Sequence, residues 1–88
     1  MPLISREEAT EMGIPIRTLQ TIEFPRDKFT ILAAKQWLAE HHYANSYYRL
    51  THGFIRFMQV PPIFEAEYYS KKLKSGIILV WQNYIPII

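Results

Sequence analysis

Three histidines, His41, His42 and His52, are the only imidazole side chains that could bind a metal ion. His41 and His42 are adjacent in a stretch with helical periodicity, and adjacent side chains on a helix point about 100° apart. A zinc site needs three or four converging ligands, and the chain has no cysteine to supply a thiolate. We therefore expect no metal site and no cofactor, and we interpret His41 as a side chain packed at a helix end.

The remaining reactive residue types also lack a catalytic arrangement. Ser46, Ser70 and Ser75 lie in no Gly-x-Ser-x-Gly turn, and the glycines are too far apart to form a phosphate-binding loop. Glu65 and Glu67 would share one face of an extended segment, but a solvated loop edge is the simpler interpretation of this pair. We expect no catalytic residue and no small-molecule substrate, so the protein is predicted not to be an enzyme.

The composition favours an interaction surface within a single domain. The chain has 88 residues, of which 49% are hydrophobic and 15% aromatic. A core of this size cannot cover every aromatic side chain, so some of them are expected at a surface that binds a partner. The net charge of +2 is milder than most nucleic-acid-binding domains show. The absence of cysteine fits a reducing compartment.

No targeting or membrane segment is apparent. Charged residues at positions 6–8 interrupt the region where a signal peptide would become apolar. The longest apolar run, residues 77–81, is far shorter than the roughly 20 residues that a membrane helix needs. We expect a soluble protein that is not secreted and does not bind a membrane.

The longest helical pattern covers residues 29–43, with Thr30 as the predicted N-cap. Its apolar stripe consists of Ile31, Ala34, Trp37, Leu38 and His41. Lys35, Gln36 and Glu40 fall mostly outside that stripe, which is typical of a helix with one buried face.

Alternating residues predict a strand at 18–24, and the segments 54–60 and 68–73 are also interpreted as strands. A wholly apolar run predicts another strand at 77–81. Residues 47–50 are interpreted either as a short strand or as an extended entry. Lys74-Ser75-Gly76 is expected to form a hairpin turn. The predicted fold is therefore α+β in the order β-α-β-β-β, with one main helix packed on a small, mostly antiparallel sheet.

The two ends of the chain are predicted to be distinct from the domain at residues 17–84. Residues 1–16 are interpreted as an N-terminal leader or arm that contains a short helix, because Ser5 and Glu8 have the spacing of a capping box. This leader either docks on the domain or orders only on a partner. Residues 85–88 form an apolar C-terminal tail, which either packs back or inserts into a partner.

Several motifs follow one another in the central part of the chain. They are Lys28-Phe29-Thr30, the helix with Trp37-Leu38 and His41, the segment Arg56-Phe57-Met58-Gln59-Val60-Pro61-Pro62, and the hairpin that ends at Gly76-Ile77. Together they resemble a small domain of unknown function that recurs in tailed-phage and large DNA-virus proteins, alone or attached to larger proteins such as prohead proteases. The resemblance covers about residues 18–84.

That resemblance implies a viral or phage origin, a location in the virion or the host-cell interior (cytoplasm or nucleus), and no catalytic role. The sequence departs from the family pattern at two positions. His42 stands where the family usually has glycine after the helix, and Met58 stands where a basic residue is common.

We predict a structural or accessory protein that acts through protein–protein contacts in a particle or multisubunit complex. Its partners would be other viral or complex proteins, or further copies of the chain. The expected contact residues are Tyr47, Arg49, Tyr68, Tyr69, Trp81, Ile87 and Ile88.

The alternative is a single-stranded nucleic-acid-binding module that combines aromatic stacking with phosphate contacts. The residues expected to carry this alternative are Phe54, Arg56, Lys71 and Lys72.

Overall fold

A computed structural model describes residues 3–87 of the chain. The elements in chain order are α1 (Arg6–Glu11), β1 (Arg17–Pro25), α2 (Ile31–Glu40), β2 (Tyr48–Leu50), β3 (Phe54–Met58), β4 (Glu67–Lys72) and β5 (Ile78–Asn83). The strands form one antiparallel sheet in the order β2-β3-β1-β5-β4. The predicted α+β class is confirmed. The short segment at 47–50 contributes a fifth strand, one more than the order β-α-β-β-β contains.

β1 lies at the centre of the sheet, between β3 and β5. Its register with β5 shifts between Leu19 and Thr21, which leaves Gln20 in a bulge. The Gln20 carbonyl accepts hydrogen bonds from the backbone N–H groups of Gln59 (2.7 Å) and Val60 (3.4 Å). Because both residues donate to one carbonyl instead of continuing the ladder, β3 ends at Met58 and not at the predicted residue 60.

α2 covers one face of the sheet, which we call the helix face. Thr30 caps the helix as predicted, since its hydroxyl accepts a hydrogen bond from the Ala33 N–H at 3.0 Å. Ala34 and Leu38 are fully buried against the sheet. The ring of Phe24 makes edge contacts with three aromatic rings, those of Phe29, Trp37 and Phe57. These contacts form the main core.

The end of α2 is closed by a histidine in a glycine-like conformation. His42 has φ 63°, in the left-handed region. The N–H of Tyr43 donates to the Leu38 carbonyl (2.8 Å) and the N–H of His42 donates to the Ala39 carbonyl (3.2 Å), which is the Schellman pattern. The His41 ring stacks on Trp37 with the ring centroids 3.9 Å apart, so His41 packs at the helix end as expected.

A second, smaller core joins the two ends of the chain. Ser5 and Glu8 form the predicted capping box at the start of α1. Ala9 of α1 is buried against Ile63 and Tyr84, and the Tyr84 hydroxyl donates to the Ile14 carbonyl. The N–H of Ile87 donates to the Thr10 hydroxyl at 3.1 Å. The leader and the tail as far as Ile87 therefore pack on the domain, while Ile88 lies outside the described residues.

Candidate functional site

The sheet face opposite α2 carries a groove that is open to solvent, and we call it the open face. Ile22 and Phe24 of β1 point into the main core, so Thr21 and Glu23, which alternate with them, point to the open face. The strand registers place the following side chains on the same face: Arg49 of β2, Arg56 and Met58 of β3, Ile78 and Val80 of β5, and Tyr68 and Ser70 of β4.

A groove of about 640 Å³ runs across the open face. Thr21, Ile78 and Val80 belong to its floor, because they project from the two central strands β1 and β5. The edge strand β4 borders one side, and Tyr47 and Arg49 at the opposite edge of the sheet border the other. The groove is a depression open to solvent, not an enclosed cavity.

One end of the groove is closed by the segment between β3 and β4. Gln82 is fully buried and holds this segment at two points. Its amide oxygen accepts from the Ile63 N–H at 3.2 Å, and its amide nitrogen donates to the Pro61 carbonyl at 3.1 Å. Leu3, which precedes the bridge between Ile4 and Ile63, completes this end. The end wall is therefore fixed by hydrogen bonds to the sheet itself.

Tyr68 is held rigidly beside this wall. Its hydroxyl donates to the Ile63 carbonyl and accepts from the Ile63 N–H, both at 3.0 Å. Burial of the hydroxyl raises the pKa of Tyr68 above its ordinary value, and the backbone hydrogen bond with Ile63 offsets part of this rise. The residue is still 45% exposed, so an anchored ring faces solvent at the edge of the groove.

An ion pair lies in the middle of the open face. Arg56 and Glu23 are cross-strand partners, and Arg56 Nε lies 2.7 Å from Glu23 Oε2. Nε has no hydrogen-bond partner, so the contact is an ion pair between opposite charges. Nε is buried, although the Arg56 side chain is 39% exposed. The exposed area therefore lies on the rest of the side chain, which ends in the two terminal amino groups of the guanidinium.

Arg49 lies directly opposite Arg56 on the neighbouring strand. Its side chain is exposed, and among residues 3–87 it has no ion pair or hydrogen-bond partner. The carboxylate of Glu23 thus pairs with Arg56 and leaves Arg49 without an acidic partner. Together Arg49, Arg56 and Glu23 carry a net charge of +1.

The structure divides the predicted contact residues between the two faces. Tyr47, Arg49 and Tyr68 border the groove. Tyr69 contributes to the β4 rim, but its ring lies on the helix face with its cross-strand partner Trp81. Both rings lie under the Arg17 guanidinium, with centroids 5.4 and 5.7 Å from its central carbon.

The residues of the nucleic-acid alternative are divided as well. Phe54, Arg56 and Lys72 project to the open face, whereas Lys71 pairs with Leu79 and projects to the helix face. Phe54 and Lys72 border a separate hollow of about 170 Å³ near Gly76, whereas Arg56 lines the groove. The four residues therefore do not form one continuous surface.

Sequence reasoning did not identify Glu23, Met58, Ile78 and Val80 as parts of the site. The alternation of Ile22 and Phe24 with Glu23 could have placed Glu23 opposite the helix. The register that sets Glu23 beside Arg56 and Ile78 could not be obtained from a single sequence, because it depends on the pairing of strands distant in the chain.

Within the described part of the chain, no group of three or more His, Asp and Glu side chains is placed to hold a metal ion. Nor does any helix between residues 3 and 87 have the length and apolar character needed to cross a membrane.

No family model, curated protein or solved structure matches this chain. The resemblance to the small phage and DNA-virus domain therefore stays a prediction.

Proposed function

We propose that the chain is a non-catalytic interaction module whose open sheet face binds a segment of a partner protein. The observation that carries this proposal is the groove of about 640 Å³ across an exposed sheet face. Tyr68, Arg56 and Met58 line it, and tyrosine, arginine and methionine are enriched where proteins bind one another.

The shape of the groove supports a peptide segment as the occupant. Small-molecule sites usually bury roughly 70–90% of the ligand surface. A groove that is open on one side would leave much of a small ligand in water, whereas an extended or helical segment could lie along its length. The floor residues Ile78 and Val80 are only half-buried, so a partner segment would remove apolar surface from water.

The chemistry of the floor supports a protein partner over a single-stranded nucleic acid. Proteins that bind single strands stack bases on aromatic rings of an exposed surface. The open face of β1 and β5 presents Thr21, Glu23, Ile78 and Val80, none of which is aromatic.

The sequence motifs at residues 28–77 support a phage or viral complex as the place where these contacts are made. By the resemblance drawn from them, the module belongs to a phage or large DNA virus and acts in a particle or multisubunit complex. It would do so in the virion or the host-cell interior. Its partners in that setting are other proteins of the complex or further copies of the chain.

A display selection of random short peptides on the folded protein tests the proposal. Ser70→Trp places a bulky ring on the exposed rim of the groove, and Leu32→Trp adds the same ring on α2, where Leu32 is 66% exposed. Selected peptides should bind Leu32→Trp as tightly as the parent protein. Ser70→Trp should bind them at least about tenfold more weakly, since a lost contact of roughly 1.4 kcal/mol is tenfold in Kd.

The proposal is wrong if no peptide is enriched. It is equally wrong if Leu32→Trp weakens binding while Ser70→Trp leaves it unchanged, because the helix face would then be the binding surface.

A further inference from the structure

Two arginines, Arg49 and Arg56, lie at the centre of the groove, and only Arg56 has an acidic partner among the described residues. Arg49 and Arg56 are directly opposed across β2 and β3, and among the described residues Glu23 pairs with Arg56 while no carboxylate pairs with Arg49. Like charges placed directly opposite one another in a sheet are destabilising. A ligand that brings negative charge to this point would relieve the repulsion.

The way Arg56 is held makes it available to such a ligand. Its contact with Glu23 uses the buried Nε, and among residues 3–87 its two terminal amino groups have no hydrogen-bond partner. A guanidinium presents parallel N–H groups that match the two oxygens of a carboxylate. Arg56 is thus fixed on one side by Glu23 and can donate to a ligand on the other.

Apolar side chains lie beside the two arginines, so a ligand that fits this site should also have apolar groups. Met58 lies on the same strand face as Arg56, and Val80 lies beyond Thr21 in the floor. A bare phosphate or a sugar–phosphate chain would leave these side chains without apolar contacts. A peptide with aliphatic residues beside its acidic residue would cover them.

Resting on the proposed docking function, we propose that the bound segment is an acidic, aliphatic peptide whose carboxylate lies between Arg49 and Arg56 while its aliphatic neighbours cover Met58 and Val80. Glu23 is a positioning residue in this account, because it orients Arg56 and has no contact with the ligand. Charge complementarity selects this occupant over a neutral or basic segment.

The peptide selection on the parent protein, followed by the same selection on Arg49→Gln, tests the inference. Lys74→Gln is the matched control, because Lys74 is an exposed cation in the turn between β4 and β5 and does not line the groove. Peptides from the parent protein and from Lys74→Gln should be enriched in Asp and Glu relative to the starting library. Peptides from Arg49→Gln should lose that enrichment.

A second measurement isolates the carboxylate. One selected peptide is compared with its variant in which Glu is replaced by Gln. The replacement should weaken binding to the parent protein about five- to tenfold, and it should have much less effect on binding to Arg49→Gln. An oligothymidylate of similar length serves as the nucleic-acid probe at low salt, where phosphate contacts are strongest.

The failures of the two proposals are distinguishable. Peptides that bind the groove without an acidic preference overturn the inference but leave the docking function intact. A preference that Lys74→Gln also abolishes overturns the inference as well, because net charge alone would explain it. No enriched peptide overturns both proposals. Binding of the oligothymidylate that depends on Arg49, without enriched peptides, overturns both in favour of nucleic-acid binding.

Discussion

Arg56 and Glu23 join the two strands beneath the centre of the groove, with Arg56 Nε 2.7 Å from Glu23 Oε2. Neither residue has another oppositely charged partner directly across the sheet. Arg56 faces Arg49 across the β2–β3 ladder, and Glu23 faces the apolar Ile78 across the β1–β5 ladder. This pair therefore connects the stability of the sheet with the charge of the open face.

Glu23→Gln should lower the free energy of unfolding by roughly 1 kcal/mol, because it removes the carboxylate that pairs with Arg56 while Arg49 stays opposite Arg56. Arg56→Gln should have a similar effect, and the double variant should lose less than the sum of the two. Urea denaturation measures all three values. Glu40→Gln, an exposed position on α2, is the control and should change stability by less than about 0.5 kcal/mol. Strictly additive losses would show that the contact contributes nothing.

Arg49→Glu should stabilise the protein by a few tenths to about 1 kcal/mol, because it replaces a like-charge pair with an opposite-charge pair opposite Arg56. The same substitution should abolish the binding of acidic peptides. Stability and binding are thus expected to change in opposite directions, as measured by denaturation and by peptide titration. A loss of stability on Arg49→Glu would mean that Arg49 has a structural role in the fold.

His42→Gly should stabilise the protein by about 0.5–1 kcal/mol, since His42 adopts φ 63° and glycine has no Cβ to oppose that conformation. In a domain of this size the melting temperature should rise by several degrees. His41→Gly is the matched comparison and should destabilise, because it removes the ring stacked on Trp37. A lower melting temperature for His42→Gly would refute the assignment of the left-handed cap.

Gln82→Met should destabilise by about 1–3 kcal/mol, because the Pro61 carbonyl would lose its donor and the Ile63 N–H would keep only the Tyr68 hydroxyl as acceptor. The amide of Ile63 should exchange faster with solvent, since the end wall of the groove would loosen. Gln36→Met on the exposed side of α2 should leave both quantities unchanged. Unaltered exchange at Ile63 in Gln82→Met would show that Tyr68 alone fixes the wall.

The sequence supplied those parts of the fold that depend on local chemistry. The Thr30 cap, the capping box of Ser5 and Glu8, and the alternation around Ile22 each involve neighbouring residues, and each is present in the structure. The docking of the ends could not be predicted in this way, because Thr10 and Ile87 meet across 77 positions of the chain.

The site was predicted only in part, for a related reason. Tyr68 and Tyr69 were both expected at one surface, although adjacent residues of a strand project to opposite faces. Tyr68 projects to the open face, whereas Tyr69, which pairs with Trp81, projects to the helix face. The juxtaposition of Arg49, Arg56 and Glu23 depends on two registers that a single sequence does not specify.

Titration of the isotopically labelled protein with a selected peptide, followed by amide chemical shifts, tests the central claim most directly. We predict that the largest changes fall on open-face residues of β1, β3 and β5, with Thr21, Arg56 and Val80 among them. The exposed surface of α2 around Leu32 should change little. Largest changes on α2 with an unperturbed open face would contradict the proposal that this face binds a partner segment.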